Sequence, residues 1–410
     1  MTREDFLSTL WQAYPPMPSD SYMHGRLLSL ERDGAAHLWR DDQVLETTLR
    51  QWAEGDNPPP LADVLVPGDL LAVTAAGEVT LLAPWNVTGL FKPLPKSELR
   101  LWSRFQLQVR LFFEREGFLE VPTPGLVVCP GTEPGLDVFS TELVVGSRRE
   151  KRYLPTSPEL HLKKALARGL DRLFEIKSCY RNGEITRQHQ PEFTLLEWYR
   201  AWSGPQAIED DVVRLIQDVC EKMNEFDVRA PKEVRRTGMP QLFEETFGAR
   251  LTPHWGFEDY RRLCAEQGIA VPEKAGIDDL FFLLFTERIE SAFDPDVLMI
   301  VGLWPPFQAA LARLGRHGWA ERFEVYWRGF ELANAFHELN DPSVQRQRFE
   351  ADRRKKISLG KEVLPLDEEF LRALDSGLPP SAGIALGLER LFMALFDVGE
   401  ISRLKAFPYS

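Results

Sequence analysis

Two of the common phosphate-binding loops are missing from these 410 residues: there is no GxxxxGK[ST] and no GxGxxG. A P-loop or a dinucleotide-binding turn is therefore excluded as the route to a nucleotide. Cysteine is scarce. Cys129, Cys179, Cys220 and Cys264 are scattered with no CxxC pair, which argues against a zinc site and for reduced, mostly buried thiols in a cytoplasmic protein. No run of about 18 apolar residues occurs, so no membrane span is expected. The opening MTREDFLSTLWQAYPP carries acids and no long apolar core, unlike a signal peptide. Positive charge is in deficit: 49 Lys and Arg stand against 62 Asp and Glu, a net charge of -13. General attraction to nucleic acid or to an anionic membrane is thereby excluded, leaving only a local basic groove.

What is present is enough chain for two or three domains and a large core. A short helix is expected over roughly Thr2 to Ala13, ending at Pro15-Pro16. The β-like runs HGRLLSLE, AAHLWR, DLLAVTA and EVTLLAP follow, separated by turn residues at Asp33-Gly34, Pro67-Gly68 and Ala76-Gly77. Such spacing predicts a small β-rich, OB-like domain, the first domain being set at residues 1–94 with its helix. Residues 1–95 hold six Lys and Arg against thirteen Asp and Glu, a poor surface for tracking phosphates. A proline-containing link, FKPLPKSE, leads into residues 95–410. There SELRLWSRFQLQVRLFFEREGF predicts a helix with Leu99, Trp102, Phe105, Leu107, Val109 and Phe112 on a broad buried face. Ser97 is its expected N-cap and Gly117 its stop.

Four clusters carry chemistry. RNGEITRQHQPEFTLLEWY, Arg181 to Tyr199, reads as a hairpin loop between two strands, with Phe193, Leu195, Glu197 and Tyr199 on one strand face. An arginine there can grip a phosphate and an aromatic ring can stack on a purine; a plain exposed hairpin is the equal alternative. In VYWRGFELANAFHELNDP, Arg328-Gly329 is a turn. Strand alternation puts Leu332, Asn334, Phe336 and Glu338 on one face and Glu331 on the other, whereas a helix would group Glu331, Asn334 and Glu338. Carboxylates among apolar residues need a cation, whether a ligand ammonium, magnesium or a structural partner. TSPELHLKKALARG has capping-box spacing from Thr156 to Glu159, a sufficient structural role by itself. SAGIALGLERLFMALF has small residues for a close backbone approach, or for tight packing around Gly383 and Gly387.

In this order the clusters resemble the catalytic domain of class II aminoacyl-tRNA synthetases of the lysyl type. GFLEVPTPGL with Pro124 is similar to motif 1, YRNGEITRQHQPEFTLLEWY to motif 2 and GIALGLERLFM to motif 3; TSPE and ELANAFHELNDP are similar to the lysine-type signatures. Among these the chain resembles most the elongation factor P–lysine ligase family. His337 stands where the tRNA enzymes usually have serine, and Ala385 where they usually have glycine. A methyl group there would narrow the amino-acid pocket, worth ~1–3 kcal/mol of discrimination.

The resemblance implies an α+β fold: an antiparallel sheet flanked by helices, behind the small β-rich domain. It implies ATP-dependent activation of lysine or β-lysine and transfer to a lysine of elongation factor P. A tRNA-charging enzyme with a reduced anticodon domain is the alternative, and a noncatalytic paralogue a third. ATP and Mg2+ are the implied cofactors, and a homodimer through residues 97–125 the implied assembly. By the same resemblance Arg181, Glu331 and Arg390 are catalytic, with Glu331 on magnesium. Glu184, His189, Gln190, Phe193, Leu332 and Gly387 join them around ATP, and Ser157, Glu159, Glu197, Tyr199, Asn334, Glu338 and Ala385 around the amino acid. Motif 2 departs from its pattern at Gly183, where glutamate is usual, and at Gln190, where asparagine is usual.

Overall fold

The structure, a computed structural model, describes residues 3, 23–41, 43–53, 59–85 and 96–409. All of the expected N-terminal helix but Arg3, and most of the FKPLPKSE link, lie outside them. The chain divides into two compact units, Met1–Leu101 and Trp102–Ser410.

The first unit is strand-rich. Its six-stranded sheet runs Gln43–Thr48, Ala35–Arg40, Met23–Leu30, Leu70–Val73, Glu78–Ala83, Gln51–Trp52. The expected turns are in place, with Gly34 and Gly77 at positive φ. Alternating apolar residues bury Leu27, Leu38, Leu71, Val73 and Val79 on one side. Asp69, fully buried, is held by Arg3 at 2.7 Å and accepts the backbone N–H groups of Val66 and Trp85. The strand Gln43–Thr48 escapes a hydrophobicity reading because QVLETT has few apolar residues and five of its six side chains are polar or exposed.

The second unit is built on an eight-stranded sheet in the order Glu233–Gly238, Val297–Gly302, Arg322–Trp327, Phe330–His337, Ser381–Gly387, Glu192–Ala201, Arg172–Tyr180, Leu119–Glu120. The inner pairings are antiparallel and the pairing at each edge is parallel. Helices Pro205–Lys222 and Leu388–Phe396 pack on its central strands. Helix Lys96–Arg115 buries Phe105, Val109, Phe112 and Phe113, the last stacked on Phe174 at 4.8 Å. Between residues 239 and 320 a separate aromatic core gathers Phe243, Tyr260, Phe281, Phe285 and Trp304.

Three local expectations change. Ser97 does not cap its helix, which begins at Lys96; its hydroxyl donates to Glu98. Leu107 is not on the buried face but 57 % exposed, and Leu111 and Leu119 are also exposed. Gly117 does end the helix, at φ 76°. The capping box at Thr156–Glu159 is not formed either. The Thr156 hydroxyl donates to the Pro130 carbonyl at 2.6 Å, Ser157 Oγ accepts the Glu159 N–H at 2.9 Å, and the Glu159 carboxylate goes to Lys163.

Candidate active site

Strands Arg172–Tyr180 and Glu192–Ala201 pair in register from Arg172↔Arg200 to Tyr180↔Glu192, so residues 181–191 form the loop that joins them. The loop rims a cleft of about 180 Å3. Its lining includes Ser157, Glu159, Arg181, Glu184, His189, Gln190, Phe193, Glu331, Leu332, Asn334, Ala385, Gly387 and Arg390. The three sequence-distant clusters and the TSPE turn thus converge on one volume.

One wall is basic. Arg181 is anchored by its N–H to the Pro191 carbonyl, and its guanidinium lies 5.1 Å from the Phe193 ring. Its Nε is buried and has no hydrogen-bond partner. Such an unpaired donor is costly unless an acceptor arrives. Arg390 donates to the Glu331 carbonyl at 2.7 Å and to His189 Nε2 at 2.7 Å. Arginine only donates, so Nε2 is the acceptor and the imidazole proton sits on Nδ1, facing Thr186 Oγ1 at 2.9 Å. Burial and then the Arg390 charge lower the pKa of His189, keeping it neutral. Gln190 is buried, accepting the Tyr409 N–H at 2.9 Å. Gly183 takes φ 84°, a left-handed turn that L side chains rarely adopt, and Glu184 beyond it lines the cleft.

The other wall is acidic and lies deeper. Glu197 is fully buried, accepting from Ser157 Oγ at 2.6 Å and Tyr199 Oη at 3.1 Å. Burial, then the Glu159 charge, pushes its carboxyl well above the usual range. Glu159 meets Lys163 at 2.5 Å, and Lys163 meets Glu338 at 2.5 Å. The second contact is an ion pair away from the hydrogen-bonding direction, since both Glu338 oxygens lack a hydrogen-bond donor. Burial works against the Lys163 charge, but the two carboxylates outweigh it and raise its pKa. Glu197, Tyr199 and Glu338 therefore stand behind the lining, with Lys163 as the cation Glu338 requires. Gly383 makes this packing possible: a Cβ there would lie 2.1 Å from the Tyr199 ring and 2.8 Å from Glu338 Oε1.

The Arg328-Gly329 turn and its two strands form as expected, but simple alternation fails beyond them. Val325 pairs with Ala333 and Tyr326 with Glu331, so Leu332 is an extra residue in a β-bulge. The bulge turns Glu331 onto the face of Asn334 instead of the opposite one. Tyr326 confirms the phase: it faces Glu331 across the pair and donates to Glu324, which is opposite Asn334. Across the sheet Glu197, Ala385, Asn334 and Glu324 form one row.

Sequence reasoning missed Glu133, Gln188 and Glu389, which also line the cleft. Glu389 accepts the Thr194 N–H and pairs with Lys405 at 2.8 Å; its position beside Arg390 was the available signal. Glu133, in a loop, and Lys163, in a helix rich in lysine, gave none. Among the described residues no three His, Cys, Asp or Glu side chains gather as a metal site, and no helix is long and apolar enough to cross a membrane. All four cysteines are free thiols, three of them buried.

Comparison with known proteins agrees with this geometry. The family described as tRNA synthetases class II (D, K and N) matches residues 86–410. An elongation factor P–(R)-β-lysine ligase of Vibrio parahaemolyticus is 36 % identical over 320 residues, 76 % of this chain and 95 % of that one. The protein of the same name from Vibrio vulnificus is 37 % identical over 335 residues, 80 % and 98 % of the two chains. The one from Haemophilus ducreyi is 35 % identical over 329 residues, 79 % and 95 %. With a cleft of two opposed walls on a class II sheet, and relatives matched over almost their whole length, the chain belongs to the elongation factor P–(R)-β-lysine ligase family of class II synthetase-like ligases.

Proposed function

We propose that this chain activates lysine or (R)-β-lysine with ATP and transfers it to a lysine side chain of elongation factor P. The observation that carries the reading is the opposition of charge within one cleft. Arg181 offers an unpaired buried donor on one side, and three carboxylates with a single Lys163 lie on the other. ATP presents phosphates to the first, and a diamino acid presents ammonium groups to the second.

In the first step a carboxylate oxygen of the amino acid attacks the α-phosphorus and pyrophosphate leaves, giving the mixed anhydride. Arg181 and Arg390 stabilise the charge that develops on the phosphoryl oxygens. Phe193 stacks on adenine, and Glu184, His189, Gln190, Leu332 and Gly387 complete the nucleotide wall. Ser157, Glu159 and Ala385 position the amino acid, supported from behind by Glu197, Tyr199 and Glu338. In the second step the unprotonated amine of the acceptor lysine attacks the carbonyl carbon; an amide forms and AMP leaves with the bonding pair. No covalent enzyme intermediate is required, because alignment supplies most of the rate.

Magnesium fits Glu331, whose carboxylate is 45 % exposed and 3.8 Å from Arg390. Its neighbour Glu324 is already taken by Arg322 and Tyr326. One carboxylate together with ATP phosphates matches the way this ion is usually held. Bound there, it would neutralise phosphate charge.

The exposed Leu107, Leu111 and Leu119 support the reading of residues 97–125 as the face of a homodimer. A tRNA-charging reading draws on the strand-rich N-terminal unit, most of which precedes the family match at residue 86. ATP–pyrophosphate exchange with lysine and with (R)-β-lysine, followed by label transfer to elongation factor P and to tRNA, separates these readings. Label on the protein supports the proposal; label on tRNA alone overturns it.

A further inference from the structure

Asn334 stands in the cleft wall opposite Ala385, and its amide is not free to turn. Arg322, on the neighbouring strand Arg322–Trp327, sends Nε to the amide oxygen at 2.9 Å. A guanidinium carries five donors and no acceptor, so only the oxygen of the amide can face it. The NH2 group is left for the cleft side. Arg322 is itself clamped. Its guanidinium lies 4.5 Å from the Trp304 ring, Nη1 donates to the Gln308 carbonyl at 2.8 Å, and Nη2 pairs with Glu324. Neither Arg322 nor Trp304 nor Gln308 lines the cleft.

We infer that Arg322 is a positioning residue: by holding the Asn334 oxygen, it turns the Asn334 NH2 group to the cleft, so this point of the cleft reads an anionic oxygen rather than an ammonium group. The oxygen belongs to the amino acid's carboxylate or to a nucleotide phosphate. The inference rests on the reading of the cleft as an adenylation site. It separates Asn334 from Glu159, Glu197 and Glu338, with which the family resemblance groups it around the amino acid: they are acidic groups, and its cleft-side group is a donor. It also gives the aromatic core of residues 239–320 a part in binding, because Trp304 belongs to that core and holds Arg322 flat.

The test titrates lysine, (R)-β-lysine and ATP separately in ATP–pyrophosphate exchange, with calorimetric binding of each beside it. The proteins are the wild type, Arg322→Met, Arg322→Lys, Asn334→Ala, Asn334→Asp and the double variant Arg322→Met/Asn334→Ala. Arg322→Met should weaken the substrate whose oxygen is read by roughly 10- to 100-fold and leave the other within about threefold. Weakened amino-acid binding assigns the carboxylate; weakened ATP binding assigns the phosphate. Arg322→Lys should recover part of the loss. The double variant should be no weaker than Asn334→Ala alone, because Arg322 acts through the amide. Additive losses overturn the inference. So does an Asn334→Asp variant that binds both substrates as tightly as wild type, since that change keeps the acceptor for Arg322 and puts an anion where the NH2 group was. This arm decides the matter if thermal melts show Arg322→Met unfolded. A wild type that binds both substrates but exchanges no pyrophosphate fails the functional reading and leaves the binding comparison intact. A wild type that binds neither overturns both.

Discussion

The two walls of the cleft handle charge in opposite ways. On the basic side, Arg181 and Arg390 are only partly buried, and Arg181 keeps an Nε with no acceptor. On the acidic side, Glu197, Lys163 and Glu338 are almost fully buried and joined to one another or to Ser157 and Tyr199. The first wall leaves a buried donor unmet. The second must satisfy its charges internally because water does not reach them. A substitution in the first should therefore cost rate or affinity, and in the second, stability.

Lys163→Met breaks this contrast most severely. It strands Glu338 as a buried carboxylate, and loss of one partner of a buried pair costs about 3–5 kcal/mol. Chemical denaturation should show that loss; stability within about 1 kcal/mol of wild type would mean the acidic wall is more hydrated than its burial indicates. Arg181→Ala sharpens the other side. Exchange should fall by at least roughly 10²–10³-fold with an unchanged unfolding midpoint, and retained exchange would remove Arg181 from the chemistry. Ala385→Gly enlarges the space opposite Asn334. Discrimination between lysine and (R)-β-lysine, read as the ratio of kcat/KM values, should shift by ~1–3 kcal/mol at most.

The smallest effect is with pH. The His189 pKa is lowered from 6.5, so as pH falls below 6.5 the unfolded chain takes up a proton that the folded one resists. Stability should therefore decline as pH falls through that range and be unaffected above it. His189→Gln, which keeps an acceptor for Arg390, should flatten the decline; an unchanged slope would assign it to other groups.

Much of this arrangement is legible in sequence because it rests on turns and alternation. Gly34, Gly77, Gly117 and the Arg328-Gly329 turn all fall where breaker residues predict, and the motif 2 loop sits between the two strands its apolar runs predict. What stays hidden depends on partners distant in the chain. Lys163 reads as a solvated helix lysine until Glu338, 175 positions away, is packed onto it. Leu107 has the right spacing for a core residue, but nothing in its own unit covers it. Strand alternation puts Glu331 on the wrong face because it assumes one residue per ladder step, and a bulge breaks that count without leaving a proline or glycine to announce it.

That uncounted residue has a consequence for how the scaffold can change. Two residues separate Glu331 from Asn334, a spacing that a regular pleat would put on opposite faces, and removing either one would restore the regular pleat with Glu331 and Asn334 two positions apart and still on one face. Point substitutions at Leu332 or Ala333 that keep the bulge leave the two polar groups side by side, and a three-nucleotide deletion of either codon would do so too, by removing the need for a bulge. What would part them is a regular pleat at the present length, not a shorter strand.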